Sequence, residues 1–229
     1  MSDREPLADA LHAAADTLRH HRDLGWREVP RQERARPDAT AALTAQESAL
    51  AGCTRCKLCG SRSTIVFGSG SPRARLMVIG EGPGEEEDKQ GKPFVGRAGQ
   101  LLTKMLEAVG FDRERDCYIA NVVKCRPERN RNPEPDEVAA CAPFLAAQIE
   151  ALQPAVILAL GNFAAQSLLR TKDGITRLRG RTYDRDGIVL VPTFHPAFLL
   201  RNPGPEFRRQ AWDDLKLARR EHDRLADSR

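Results

Sequence analysis

The sequence predicts a three-layer α/β/α sandwich with a central, mainly parallel four-stranded sheet. Four short apolar runs rich in β-branched residues predict the strands: residues 75–80, 117–123, 155–161 and 188–194. Each run is nearly continuous rather than alternating, which is typical of strands that are buried on both faces. Segments with helical spacing of apolar residues separate the runs, and strand–helix alternation with short connections favours a parallel sheet.

The predicted helices follow the strands in turn and cover residues 98–111, 135–152, 162–169 and 205–225. Pro135 stands in the first turn of the second helix, where the N–H that proline lacks is not needed. The last helix is amphipathic and basic. In a parallel sheet of this kind, ligands bind in the crevice at the carboxyl ends of the strands.

The composition is that of an intracellular globular protein. A chain of 229 residues, 41% hydrophobic and 30% charged, can bury one sizeable core. No apolar run approaches the roughly 20 residues that span a bilayer, and the N-terminus lacks the basic start and apolar stretch of a signal peptide. We therefore expect a cytoplasmic protein that does not associate with membranes.

Residues 1–48 are predicted to be a charged N-terminal extension, partly helical or disordered, and residues 49–229 the functional domain. Within the extension we expect a short amphipathic helix over residues 5–20, then a polar linker that ends in a short helix before Cys53. The first 50 residues hold seven Arg and nine acidic residues, which gives them a net charge of −2. Because the whole chain has a net charge of +4, the remaining residues carry about +6. This mild basic bias is compatible with a polyanionic partner.

Three of the predicted strands end in chemically unusual segments. These are GEGPGEEED after the first strand, KCRPERNRNPEP after the second and HPAFLLRNP after the fourth. The first segment is neither a Walker A motif nor a dinucleotide-binding glycine motif, so nucleotide binding is not favoured. Its glycines would let backbone amides approach a ligand closely, with Glu81 at the mouth of the crevice.

Three side chains near these strand ends are candidates for ligand binding. Phe94, in a Gly- and Pro-rich loop, could stack on a planar ligand or plug the loop against the core. Asn121 interrupts an apolar strand, so its amide either holds a neighbouring loop or reads the edge of a base. His195 is either a structural histidine between strand and helix or a catalytic group.

Six cysteines in an intracellular chain indicate metal binding, catalysis or burial rather than disulfides. Cys53 and Cys56 form a C-x2-C pair, Cys125 ends a strand and Cys141 lies in the next helix. Four thiolates from these positions could converge on zinc or on an iron–sulfur centre, and residue types alone do not separate the two. The alternative is that Cys125 and Cys141 are small buried hydrophobes.

The other two cysteines complicate this pattern. Cys59 extends the pair to C-x2-C-x2-C, which resembles the start of a ferredoxin run, but no fourth cysteine follows at the matching spacing. Cys117 begins a strand and is predicted to be structural.

The combination of C-x2-C, GEGPG, GKPFVGRAG, N-x3-C-R-P and HPAFLLR resembles the family-4 uracil-DNA glycosylases. The resemblance covers about residues 48–220. It implies a [4Fe-4S] cluster bound by the four cysteines Cys53, Cys56, Cys125 and Cys141. It also implies a uracil pocket, which maps to Gly80, Glu81, Gly82, Phe94, Asn121 and His195.

The resemblance implies an enzyme of DNA base-excision repair. Such an enzyme removes uracil from single- or double-stranded DNA by base flipping and hydrolysis of the N-glycosidic bond, and leaves an abasic site without a lyase step. His195 and Glu81 are the expected catalytic residues, and we expect a monomer. Better-known relatives carry a water-activating Asp where this chain has Gly82, which keeps open a non-catalytic, zinc-containing nucleic-acid-binding domain as an alternative.

The segment that follows His195 is expected to contact DNA. Apolar side chains in such a loop could wedge into the base stack, and arginines could bind phosphates. The residues expected to contact DNA are Phe198, Leu199, Leu200, Arg201 and Arg179.

Overall fold

A computed structural model describes residues 39–227 and contains, within them, one six-stranded sheet with the strand order β1-β3-β2-β4-β6-β5. The strands are β1 (Ser69–Gly70), β2 (Leu76–Gly80), β3 (Cys117–Asn121), β4 (Val156–Leu160), β5 (Tyr183–Arg185) and β6 (Ile188–Thr193). The four inner strands are parallel, and β1 and β5 pair antiparallel at the two edges.

The predicted α/β class and mainly parallel sheet are confirmed, but the predicted number of four strands is too small. The four predicted strands are the four parallel ones. The two that were missed are only two and three residues long, and neither contains a fully buried residue. Short edge strands of this kind lack the continuous apolar run by which a central strand is recognised.

Helices cover both faces of the sheet. They are α1 (Ala39–Leu50), α2 (Glu85–Gln90), α3 (Arg97–Ala108), α4 (Pro135–Leu152), α5 (Gly161–Leu169), α6 (Ile175–Leu178), α7 (Pro196–Arg201) and α8 (Pro205–Asp227). Along β2, Met77 and Ile79 pack into the core with α1, α4 and α5, whereas Leu76 and Val78 pack into the core with α3 and α8. This alternation on a fully buried strand produces the three layers.

A buried carboxylate fixes the end of β6. Asp214 of α8 accepts hydrogen bonds from the Thr193 hydroxyl at 2.8 Å and from the Arg179 Nε at 2.9 Å. The backbone N–H of Gly180 donates to the same carboxylate at 3.1 Å. These contacts fix the strand end from which the segment with His195 departs.

Helix α1 packs on α4 through the buried Leu43 and Leu50, and the Gln46 Nε2 donates to the Ala147 carbonyl at 3.1 Å. The predicted boundary between residues 48 and 49 falls inside this helix. The predicted helix over residues 5–20 and most of the linker lie outside the described residues, so the division of the chain stays a prediction. None of the helices described here is long and apolar enough to cross a membrane.

Candidate active site

The ends of β2 and β3 form the floor of the candidate site. Gly80 and Asn121 are register partners at the last positions of these neighbouring parallel strands. A Cβ atom on Gly80 would lie 2.5 Å from the Asn121 Oδ1 and 2.5 Å from the Phe94 Cζ. Glycine at this position therefore allows an amide and an aromatic ring to meet over the strand end.

Asn121 carries the least satisfied polar atom of this floor. The residue is only 1% exposed, and its Oδ1 has no hydrogen-bond partner within the described residues. Leaving a buried acceptor without a donor costs about 1–3 kcal/mol. An acceptor held in this way beside an aromatic ring is suited to a ligand that supplies an N–H.

Phe94 is held over the floor by its backbone. Its φ of 53° is in the left-handed region, where the backbone of residues other than glycine is strained. The Arg113 guanidinium donates to the carbonyl of Phe94 at 2.6 Å and to that of Pro93. A Cβ on Gly99 would lie 1.9 Å from the Phe94 carbonyl oxygen, so Gly99 is what permits this close approach.

His195 lies on the other side of Phe94, with the two ring centroids 5.6 Å apart and the rings tilted by 34°. It is the N-cap of α7, and its Nδ1 accepts the backbone N–H of Ala197 at 3.1 Å. The proton of the neutral ring is therefore on Nε2. Burial lowers the pKa of His195 to about 4, and the positive charge of Arg201 acts in the same direction.

Glu81 and Gly82 follow β2 at the rim of the site, and both are half-buried. Burial raises the pKa of the Glu81 carboxyl, and the charge of Arg201 opposes this rise. A Cβ on Gly82 would lie 2.8 Å from the Val123 Cγ2, so a larger residue at 82 would need this wall to move.

Glu87 of α2 joins the two glycine-containing loops, a role that sequence reasoning missed. Its carboxylate accepts the backbone N–H groups of Val95 and Gly96, both at 2.9 Å, and that of Gly84 at 3.1 Å. The signal that could have found it is the capping box, in which a Glu stands three residues after the N-cap. Glu87 thereby fixes the path of the chain on both sides of Phe94.

Helix α7 presents its side chains in two directions. Phe198 stacks on Phe194 with centroids 5.0 Å apart, and Leu199 is 3% exposed, so both contribute to the core beneath the helix. Leu200 is 46% exposed and Arg201 is exposed beside it. Of the three apolar candidates for DNA contact, the structure presents Leu200 to the outside.

Arg179, one of the residues expected to contact DNA, is engaged within the fold. Its guanidinium forms a salt bridge with Asp214 at 2.8 Å and lies over the Phe194 ring at 5.4 Å. The side chain is 14% exposed, since it serves to neutralise a buried carboxylate. Its charge is therefore used within the fold.

The four cysteines with the predicted ligand spacing share one environment. Cys125 and Cys141 are buried in the core next to α4, and Cys53 and Cys56 pack against the same core. Burial raises the pKa of Cys125 to about 11, and the charges of Cys141 and Cys56 add to the rise. Burial also raises the pKa of Cys141, and the charges of Cys56 and Cys53 add to it.

Two donors are directed at these sulfurs. The Arg62 Nη1 donates to the Cys125 Sγ and the backbone N–H of Lys124 donates to the Cys141 Sγ, each at 3.3 Å. Hydrogen bonds of this kind stabilise thiolates, and four thiolates are the ligand set that an iron–sulfur cluster takes. Among the described residues, no group of three or more His, Cys, Asp or Glu side chains is arranged to hold a metal ion.

The remaining two cysteines differ in position: the backbone N–H of Cys59 donates to the carbonyl of Cys56 at 3.2 Å, whereas Cys117 begins β3. Cys117 is buried in the core on the opposite face of the sheet, where burial raises its pKa to about 12. Cys59 lies half-buried in the 3-10 turn Lys57–Gly60.

Comparisons with known proteins place this geometry in a family context. The model of the uracil DNA glycosylase superfamily matches residues 67–216. A type-4 uracil-DNA glycosylase of Thermotoga maritima is 51% identical over 73% of this chain and 88% of its own length. Proteins of the same name from Sulfurisphaera tokodaii and Saccharolobus solfataricus are 43% and 45% identical, over 73% and 66% of this chain and 79% and 74% of their own lengths.

Proposed function

The chain belongs to the uracil-DNA glycosylase superfamily, and on that premise we propose that it removes uracil from DNA in base-excision repair. The reaction is hydrolysis of the N-glycosidic bond after the nucleotide has been flipped out of the base stack, and the product is an abasic site. The enzyme is a hydrolase of N-glycosyl bonds, and we assign it no lyase step.

The observation that carries the proposal is the buried Asn121 Oδ1 without a donor, beside Phe94 and His195. Uracil presents an N3–H donor next to its O4 acceptor, and one primary amide can pair with both. Cytosine presents the reverse order and would leave two buried groups unpaired, which discriminates strongly.

Phe94 and His195 complete the base pocket. The Phe94 ring stacks on the flipped uracil, and its backbone, fixed by Arg113, determines the plane of the base. The His195 Nε2–H donates to uracil O2 while negative charge develops on the leaving base. A neutral donor in a desolvated site can contribute several kcal/mol to the rate in this way.

The rim of the pocket supplies the remaining groups. The backbone amides of Gly80 to Gly82 are further donors to the base. We assign to the Glu81 carboxylate the positioning of the attacking water, because its place at the rim leaves it outside the floor that reads the base. The competing role, exclusion of the thymine methyl group by its bulk, is separated by a variant described in the Discussion.

The four cysteines Cys53, Cys56, Cys125 and Cys141 are proposed to bind a [4Fe-4S] cluster. Hydrolysis transfers no electrons, so the cluster, when bound, supplies order rather than redox chemistry. The residues of this chain that serve it are the thiols themselves and the two N–H donors of Arg62 and Lys124. Together they join the segment around Cys53, the end of β3 and helix α4.

On the DNA side, we propose that Leu200 enters the base stack and that Arg201 binds a phosphate. Both follow His195 on α7, so they lie on the element that carries the catalytic histidine. We propose that the protein acts as a monomer in the cytoplasm and accepts single- or double-stranded DNA.

The experiment that tests the function uses the purified full chain with a labelled oligonucleotide containing one uracil. Alkali treatment after incubation should cut the strand at the uracil and leave a thymine-containing control intact. The His195→Ala variant should cut much more slowly. An intact uracil strand after incubation with metal-replete wild-type protein would overturn the proposal.

A further inference from the structure

Lys124 is a fully buried lysine that lies in the chain between Asn121, proposed to read the base, and Cys125; its backbone contacts Cys141 of α4. Its side chain is 0% exposed. The Nζ donates to the backbone carbonyl of Asn121 at 2.9 Å and to the Gln148 Oε1 at 2.5 Å. Burying an amine in this way is costly, so its position requires compensation by these contacts.

The carbonyl that Lys124 binds belongs to Asn121, the last residue of β3. The next two residues continue the ladder, with the Val122 N–H donating to Gly80 and the Val123 N–H donating to Glu81. The Lys124 amine thus binds the strand end at the residue whose side chain lies in the pocket. A shift of this peptide would move the Asn121 amide relative to Phe94 and Gly80.

The same residue is bound on its other sides. The backbone N–H of Lys124 donates to the Cys141 Sγ at 3.3 Å, and its carbonyl accepts the Val66 N–H at 2.8 Å. The partner of its amine, Gln148, donates onward to the Phe67 carbonyl at 3.0 Å. One residue therefore connects the end of β3 to α4 and to the segment before β1.

We propose that Lys124 is a positioning residue for base recognition: it holds the peptide of Asn121 so that the amide meets uracil in the right place. It touches neither substrate nor reacting atoms and acts through Asn121. The backbone N–H of Lys124 donates to Cys141, so the same residue also contacts the proposed cysteine centre (Cys53, Cys56, Cys125 and Cys141). The inference rests on the proposed function.

The test is a double-mutant cycle with Lys124→Met and Asn121→Ala. The readouts are the single-turnover rate constant on a uracil oligonucleotide and the inhibition constant for free uracil. Alone, Lys124→Met should slow the reaction by about 100-fold, since a displacement of about 1 Å can cost that much. It should also weaken inhibition by uracil, a readout that a smaller folded fraction would leave unchanged.

In the Asn121→Ala background, Lys124→Met should cost less than about threefold more, because residues that act through one another are not additive. Arg75→Met is the matched control. It also removes a cation bound to a backbone carbonyl, that of Leu225 at 2.7 Å, but at the opposite end of β2. It should leave the uracil inhibition constant unchanged, and its effect should multiply with that of Asn121→Ala.

The outcomes separate the two proposals. Absence of cleavage by the wild-type chain overturns the function. Normal wild-type cleavage together with multiplying losses for Lys124→Met and Asn121→Ala overturns the positioning role. If Lys124→Met does not fold, Gln148→Met, which removes one partner of the amine, enters the same cycle, and multiplying losses overturn the role there too.

Discussion

The proposed pairing of the Asn121 amide with uracil can be tested by replacing its NH2 group with an oxygen. In Asn121→Asp the side chain loses its two N–H donors and offers acceptors, which suit the N4 amino group of cytosine. We expect release of uracil to fall by about 100-fold or more and the preference for uracil over cytosine to shrink. Alkaline cleavage of matched uracil and cytosine oligonucleotides measures both rates. An unchanged ratio of the two would contradict the assignment.

The neutral state of His195 has a consequence for stability. Its pKa is lowered from 6.5 to about 4 in the folded protein, so the unfolded chain takes up a proton that the folded side chain does not. Stability is therefore lost as pH falls below 6.5, by about 2 kcal/mol near pH 4.5. Denaturant unfolding from pH 7 to 4.5 measures the decline.

The control for this pH dependence is His195→Asn, which removes the titrating ring. Its side chain can still accept the Ala197 N–H at the N-cap. It should show a shallower loss of stability over the same pH range. It should also be about 100-fold slower on uracil-containing DNA, since no N–H reaches O2. Equal pH dependence in the two proteins would mean that His195 is not held neutral by its burial.

Glu81 is expected to act in uracil release in its ionised, carboxylate form. Burial raises its pKa above 4.5, with Arg201 opposing, so the single-turnover rate should fall as acidification protonates it. Glu81→Gln should be slow at neutral pH and should lack this acid limb, which a pH–rate profile checks. If Glu81→Gln kept the pH–rate profile of the wild-type protein and gained activity on thymine, Glu81 would instead be assigned to exclusion of the thymine methyl group.

Candidate ligand-binding residues can be picked out from the sequence more readily than residues that serve the backbone. Asn121 and His195 stood out because a polar or titratable side chain at the end of an apolar strand is unusual. Glu87, Arg113 and Lys124 did not, because their partners are backbone N–H and carbonyl groups whose positions exist only in the folded chain. The strained backbone of Phe94 cannot be read from residue type either.

Helix α7 divides its apolar side chains between core and solvent within one turn. Leu200 points outward while Leu199 is buried, so only Leu200 can enter DNA without disturbing the fold. Leu200→Ala should slow uracil release from double-stranded DNA by about tenfold, because a wedge stabilises the opened stack. Single-stranded DNA needs no such wedge, and activity on it should change little.

Trp212 provides the control for this prediction. It is the other exposed large hydrophobic side chain of the described residues, at 40% exposure, and it lies on α8. Trp212→Ala should leave the ratio of double- to single-strand rates unchanged. If Leu200→Ala slowed uracil release from double- and single-stranded DNA by the same factor, the result would contradict a wedge role for Leu200.

Elements were predicted where burial forced a pattern on the sequence. The four parallel strands and the helices α3, α4, α5 and α8 agree with the predicted ranges to within a few residues at each end. The short edge strands and the six-residue helices α2 and α7 were not predicted as elements. These short elements lack the periodic apolar face by which longer helices and buried strands are recognised.

At the scale of the whole molecule, the cysteine centre joins segments that are far apart in the chain and meet on one face of the sheet. Cys141→Ser should therefore lose the brown colour and the bound iron and should unfold at a lower temperature. Two variants serve as controls. Cys59→Ser should keep the iron, and Cys117→Ala, on the opposite face, should lose stability but not iron.

Iron content, visible absorbance and thermal unfolding of the four proteins measure this together. We expect loss of iron in Cys141→Ser alone, since Cys141 lies in the same core as Cys125, and Cys53 and Cys56 pack against that core. Zinc in place of iron in the wild-type protein would reassign the centre but keep its ligands. Retained iron in Cys141→Ser with loss in Cys59→Ser would instead move the centre to the C-x2-C-x2-C loop and separate it from Lys124 and the base pocket.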